Sequence, residues 1–125
     1  MDNREFKIKL EERTLKFAVD IVKFCSELKT LGCYDVLINQ LLKAGTSIGA
    51  NYREANRAES RKDFIHKIAI VEKEASETNY WLLLLQKSDQ ISPSMNVDIF
   101  SLLLKESKEL LALFNSISRN SKKNL

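Results

Sequence analysis

Apolar residues recur at helical spacing along almost the whole chain. In the first quarter, Phe17, Ile21, Phe24, Leu28 and Leu31 are spaced 4-3-4-3. Ala18, Val22 and Cys25 lie beside them, while Lys16, Asp20, Lys23 and Glu27 fall on the other side. This is the seam of a helix packed in a bundle, predicted over about 5–31. Gly32 follows the last periodic residue and suits the left-handed position that ends a helix. The link to the next helix, about 34–57, is therefore short, and short links make antiparallel neighbours. There Leu37, Leu41, Ala44, Ile48 and Ala55 share one face, with Ile38, Leu42, Gly45 and Gly49 alongside. A third helix, about 60–88, has the cleanest period: Phe64, Ile68, Val71, Ala75, Thr78, Leu82 and Leu85. Ser60 with Asp63 forms a variant capping box at its start. A fourth, about 93–118, carries Phe100, Leu103, Leu104, Ser107, Leu110, Leu111, Phe114 and Ile117. Ser92-Pro93 is its expected cap, with Asn96 and Asp98 as a second candidate start.

Two surfaces fit a lone bundle poorly. Ala44 to Asn51 (reading AGTSIGAN) is uncharged, and its only large side chain is Ile48. Each glycine costs about 1 kcal/mol relative to Ala inside a helix, so a close neighbour is expected to repay it. The opposite face of this helix holds Asn39, Gln40, Lys43, Thr46, Ser47, Ala50, Asn51 and Glu54, with Lys43 its only charge before Arg53. The third helix ends in Tyr80-Trp81-Leu82-Leu83-Leu84-Leu85, apolar all round, which a helix on the outside of a monomer should not be. Thr46, Ala50, Tyr80, Trp81 and Leu84 are the candidate oligomer contacts, because Tyr and Trp are enriched at interfaces and a heterologous contact that closes makes a ring.

Composition narrows the class. The 125 residues suit one domain, here 1–118, followed by a basic tail at 119–125 expected to be flexible. Three Gly and one Pro leave few turns, which favours an all-α fold: an antiparallel up-down-up-down four-helix bundle. The longest apolar run, Trp81 to Leu85, is far short of the roughly 20 residues of a membrane span. The polar start at Met1-Asp2-Asn3-Arg4-Glu5 has no apolar leader behind it, and two cysteines form no metal or redox motif. A reduced, cytoplasmic protein is expected. Cys25 reads as a small core residue.

The candidates for chemistry are few. One histidine cannot build the paired Glu-x-x-His sites of metal-binding bundles. Asp63 and His66 are half of one at best, and His66 is expected to be exposed. Arg61 and His66 have the Arg-x4-His spacing of the HEPN ribonucleases, themselves helical bundles, but lie about 140° apart on a straight helix. No catalytic residue, metal or cofactor is expected. Net charge is +3, which does not by itself identify a nucleic-acid partner. Even so, Arg53, Arg57, Arg61 and Lys62 cluster at the turn between the second and third helices, and Arg119, Lys122 and Lys123 lie in the tail. These seven are the candidate phosphate contacts. If that turn centres near Ala58, Lys43 approaches Glu74 and Gln40 approaches Glu77, so these four are expected to share a salt bridge or polar network.

Three strings carry a family resemblance: QLLKAGTSIGANYREA from Gln40 to Ala55, AESRKDFI from Ala58 to Ile65, and KEASETNYWL from Lys73 to Leu82. The ordered pairs Ser47-Ile48-x-x-Asn51-x-x-Glu54 and Glu77-Thr78-x-x-Trp81-Leu82 make it specific. The chain resembles the bacterial four helix bundle protein family, first noticed as open reading frames in intervening sequences of large-subunit ribosomal RNA genes. Many relatives have Gly-Ser where Lys73-Glu74 stand, so the chain is similar to the other branch. The resemblance implies an up-down-up-down bundle assembled into a ring, usually a homopentamer, with no assigned activity. It extends in fold to the accessory variability determinant of diversity-generating retroelements, a basic pentameric barrel that binds a reverse transcriptase and nucleic acid. The implied reading is a non-enzymatic oligomer that binds RNA, DNA or a ribonucleoprotein. The alternatives are a protein–protein adaptor, for example for a reverse transcriptase, and a ribonuclease using Arg61 and His66.

Overall fold

The structure, a computed structural model, describes residues 2–91 and 97–123. Four helices account for nearly all of them: α1 (Asn3–Thr30), α2 (Asp35–Ala55), α3 (Arg61–Lys87) and α4 (Val97–Lys123). No strand occurs among the described residues, and no helix is long and apolar enough to cross a membrane.

Local chemistry sets the ends. Asp2 accepts from the Glu5 N–H at 2.8 Å and caps α1. Gly32 closes it at φ +80°, with Cys33 N–H bonded to Leu28 O and Gly32 N–H to Lys29 O, the paired bonds of a Schellman motif. At α3, Ser60 Oγ accepts from Asp63 N–H at 3.0 Å, but the Asp63 carboxylate reaches back to the Glu59 N–H, one residue earlier than a regular capping box. The expected caps of α4 at Ser92-Pro93 and Asn96 lie outside the described residues.

Sequential helices pack against each other, and α1 meets α4 only lightly. The pairs that touch run antiparallel at every seam. Between α1 and α2, Cys25 lies near Ile38 and Glu11 bonds Asn56. Between α1 and α4, Phe24 meets Phe100 and Arg13 meets Glu106. Between α3 and α4, Asn79 reaches Ser107 and Arg61 reaches Ser121. Tyr52 and Phe114 meet edge to face at 5.3 Å, joining α2 to α4 across the diagonal.

The stripes of α3 and α4 enter the core as their periods predict. Ile68, Val71, Ala75, Thr78, Leu82 and Leu85 are buried, as are Phe100, Leu103, Leu104, Ser107, Leu110 and Phe114. Phe64, Leu111 and Ile117 pack at the core's edge. In α1 the seam runs further back than expected, through Leu10 and Thr14. Thr14 is tolerated because its hydroxyl donates to Leu10 O at 2.9 Å. Two residues assigned to that seam lie outside it: Val22 is 46% exposed and Leu31, the C-cap, is 45% exposed. The stripe widens through Cys25, on the side that meets Ile38, and Val22 falls beyond it. Tyr52, outside the apolar stripe expected for α2, is core.

The tail is a clear correction. Rather than fraying at 119, α4 stays helical through Lys123. Ser118 and Ser121 are buried, and Arg61 from α3 donates to the Ser121 carbonyl at 3.2 Å. That cross-helix bond satisfies a carbonyl in the last turn, where such groups lack partners within the helix. Lys122 and Lys123 suit the negative end of the helix dipole.

Candidate nucleic-acid interface

Two basic clusters far apart in sequence come together at one end of the bundle. The α2–α3 turn contributes Arg53, Arg57, Arg61 and Lys62, all exposed. The last turns of α4 contribute Arg119, Lys122 and Lys123, also exposed. The Arg61–Ser121 bond joins the two sets. Because α4 is helical here, its three cations hold fixed positions on a turn rather than trailing on a flexible tail. Some charge is neutralised locally: Arg53 lies 3.6 Å from Glu11, and Lys67 pairs with Asp63 at 3.2 Å. A shallow groove between α3 and α4 sets Glu72 among Arg119, Lys122 and Lys123.

A deeper cleft of about 650 Å³ opens at the same end, among the start of α1, the α2–α3 turn and the end of α4. Lys7, Phe6 and Asn56 line it, and none of them was a sequence candidate. No sequence pattern marked them, because they converge only through the crossing of three elements.

Arg61 and His66 face different surroundings. Arg61 is directed to α4, and His66 lies exposed on α3. Neither thiol suits nucleophilic work: burial pushes Cys25 up to about 11 and raises Cys33 as well. Among the described residues, no group of three or more His, Cys, Asp or Glu could hold a metal.

The expected network in the α2–α3 groove is looser than a salt bridge. Lys43 acts on Glu74 through space, but no ion pair within 4.0 Å joins them among the described residues. Gln40 is exposed and Glu77 half-buried. Glu74 is half-buried, yet its Oε2 is shut off from solvent without a hydrogen-bond partner. Desolvation, and then the charge of Glu77, raise its pKa, while Lys73 and Lys43 pull it down. A carboxyl with a raised folded pKa favours the fold while protonated, and that contribution is lost as pH rises through the folded value. Glu74→Gln is therefore expected to stabilise the isolated bundle at pH 7 by about 0.5 kcal/mol, the scale of a partly solvated charge. The gain should vanish as pH falls toward the ordinary carboxylate range. Equal melting temperatures for both proteins at pH 7 would show that Glu74 carries no such penalty.

The five candidate oligomer contacts form two sets. Thr46 and Ala50 each follow a glycine that packs on α1. Tyr80, Trp81 and Leu84 lie near the far end of α3, where Tyr80 is 59% exposed and meets Trp81 edge to face. A third apolar surface was missed in the sequence: Leu15, Val19 and Val22 line the outside of α1, each at least 43% exposed. Their 4-3 spacing is a second stripe that the stronger core stripe concealed.

The match to known proteins follows the same fold. The model of the family described as 23S rRNA-intervening sequence protein matches residues 7–116. A crystal structure of a protein of unknown function from the S23 ribosomal protein family of Bacteroides thetaiotaomicron is 41% identical, with a TM-score of 0.77, over 86% of this chain and 96% of that one. No curated protein matches. With four helices in the order its strings implied and a family match across nearly all of them, the chain belongs to the bacterial 23S rRNA intervening sequence protein family.

Proposed function

We propose that this chain is a non-enzymatic, cytoplasmic bundle protein that binds nucleic acid through the cations gathered at one end and assembles with copies of itself into a ring. The observation that carries the first half is the convergence of Arg53, Arg57, Arg61 and Lys62 with Arg119, Lys122 and Lys123. A family described by ribosomal RNA intervening sequences supports RNA as the polyanion. The raised thiols, and the engagement of Arg61 by α4 while His66 lies exposed, support a binding role over catalysis. Two free cysteines support a reducing compartment.

Such contacts read phosphates, not bases, so affinity should depend steeply on salt and little on sequence. Six neutralised phosphates correspond to a loss of several hundred- to a thousandfold in affinity between about 50 and 200 mM salt. Titrating RNA and DNA at both concentrations tests this. Absence of binding at the lower salt would leave the second reading, a protein–protein adaptor, which the exposed apolar surfaces of α1 and α3 favour.

Self-assembly rests on those same surfaces and on the outer face of α2. There Thr46 Oγ1 donates to Leu42 O, Ser47 Oγ to Lys43 O and Asn51 Nδ2 to Ser47 O. Each of these three side chains is bonded to the helix's own backbone, so covering them strands fewer hydrogen bonds than free polar side chains would. The resemblance to ring-forming relatives makes a pentamer the expected size.

A further inference from the structure

The cleft at the basic end has features that plain phosphate binding does not use. Phe6, 38% exposed, and the half-buried Phe64 contribute to its wall, with Tyr52 beneath. Asn56 Nδ2 donates to Glu11 Oε2 at 2.9 Å, and the same amide lies against the Tyr52 hydroxyl, so the floor of the cleft is polar and held in place. Lys7 and Arg61 stand at the same cleft. Its volume, about 650 Å³, falls within the range of small-molecule sites.

We propose that this cleft receives one unstacked nucleotide of a single-stranded nucleic acid. The base lies against Phe6 and Phe64. Lys7 and Arg61 hold the adjoining phosphate. An aromatic wall beside cations is the recurring chemistry of single-strand binding, tolerant of sequence because every base has a π-face. A base inside a duplex must first leave its stack, so duplexes are held by the outer cations alone. The proposal rests on the nucleic-acid reading above and adds the strand state and the seat of the base.

The test is fluorescence anisotropy at low salt with a labelled 12-nucleotide single strand, as RNA and as DNA, and with the corresponding duplexes. The full-length protein is expected to bind single strands about tenfold more tightly than duplexes. Phe6→Ala, at an exposed ring, should remove most of that preference, as should Ser116→Trp, which fills the cleft without changing charge. Arg61→Gln should weaken both forms. Matching thermal melts show which variants keep the fold. Equal binding of single strands and duplexes, unmoved by Phe6→Ala and Ser116→Trp, would overturn the base seat while leaving the electrostatic reading intact. No binding of either form would remove both. RNA bound in preference to DNA would assign the 2′-hydroxyl to the site, and equal binding would assign base and phosphate alone.

Discussion

Gly45→Val is expected to lower the stability of the bundle by about 3 kcal/mol, the upper end of the usual cost of overpacking a core. A β-carbon at position 45 would stand 2.9 Å from both Cγ1 and Cγ2 of Ile21 and 3.3 Å from its Cβ. Ile21 is fully buried and, being β-branched, is stiff about χ1, so it cannot swing aside. The helices must separate instead. One turn on, a β-carbon at Gly49 would meet Thr14 at 3.0–3.3 Å, including its backbone carbon, so the close approach continues along the crossing. Gly45→Ala adds the same β-carbon but recovers about 1 kcal/mol of helix propensity, so its net loss should be smaller, about 1 kcal/mol. Gly32→Ala is the informative comparison. Nothing lies within 4 Å there, and its cost of about 1 kcal/mol comes only from the left-handed backbone at φ +80°. Denaturant midpoints at unchanged m-value rank the three. A Gly45→Val protein as stable as its parent would mean that α1 and α2 do not cross at this distance.

Ala50→Arg is expected to turn the proposed assembly into single chains without unfolding them. Ala50 is exposed in the isolated bundle, and Arg is a good helix former, so the monomer has little to lose. Its surroundings are the Thr46, Ser47 and Asn51 side chains, folded back on carbonyls one turn earlier in the helix. A long cation inserted where two such faces meet would be desolvated without a partner, which costs several kcal/mol. Light scattering at micromolar concentration should give the parent a mass several times 14.4 kDa and the variant a mass near 14.4 kDa. Helical circular dichroism should be the same for both. A parent protein that is itself a single 14.4 kDa species would show that these faces do not associate.

The helix count and the core stripes of α3 and α4 were readable because they depend on period alone. A 4-3 repeat places the same side chains on one face whatever the helix meets. The Gly32 ending was readable for a similar reason: few residues other than glycine accept φ near +80° at so little cost. Stripe edges were less secure. Val22 and Cys25 both flank the α1 seam, and only the azimuth at which α2 docks made Cys25 core and Val22 surface. Thr14 carries no apolar signal, yet its hydroxyl is engaged by its own helix and its position answers the missing side chain of Gly49.

By itself, the sequence determined four amphipathic helices, short antiparallel links between the first three, a crossing of small residues in α2, and seven cations in two separated clusters. All of these follow from the identity and spacing of residues within single elements. Tertiary structure decided the rest. It kept α4 helical to Lys123, because the partner for Ser121 O comes from Arg61, sixty residues earlier in the chain. It merged the two basic clusters at one end and built beside them a cleft whose walls come from all four helices. It also left the Oε2 oxygen of Glu74 buried and unpartnered. Whether a polar atom is satisfied depends on what the other helices bring within hydrogen-bonding reach, and no local pattern carries that information.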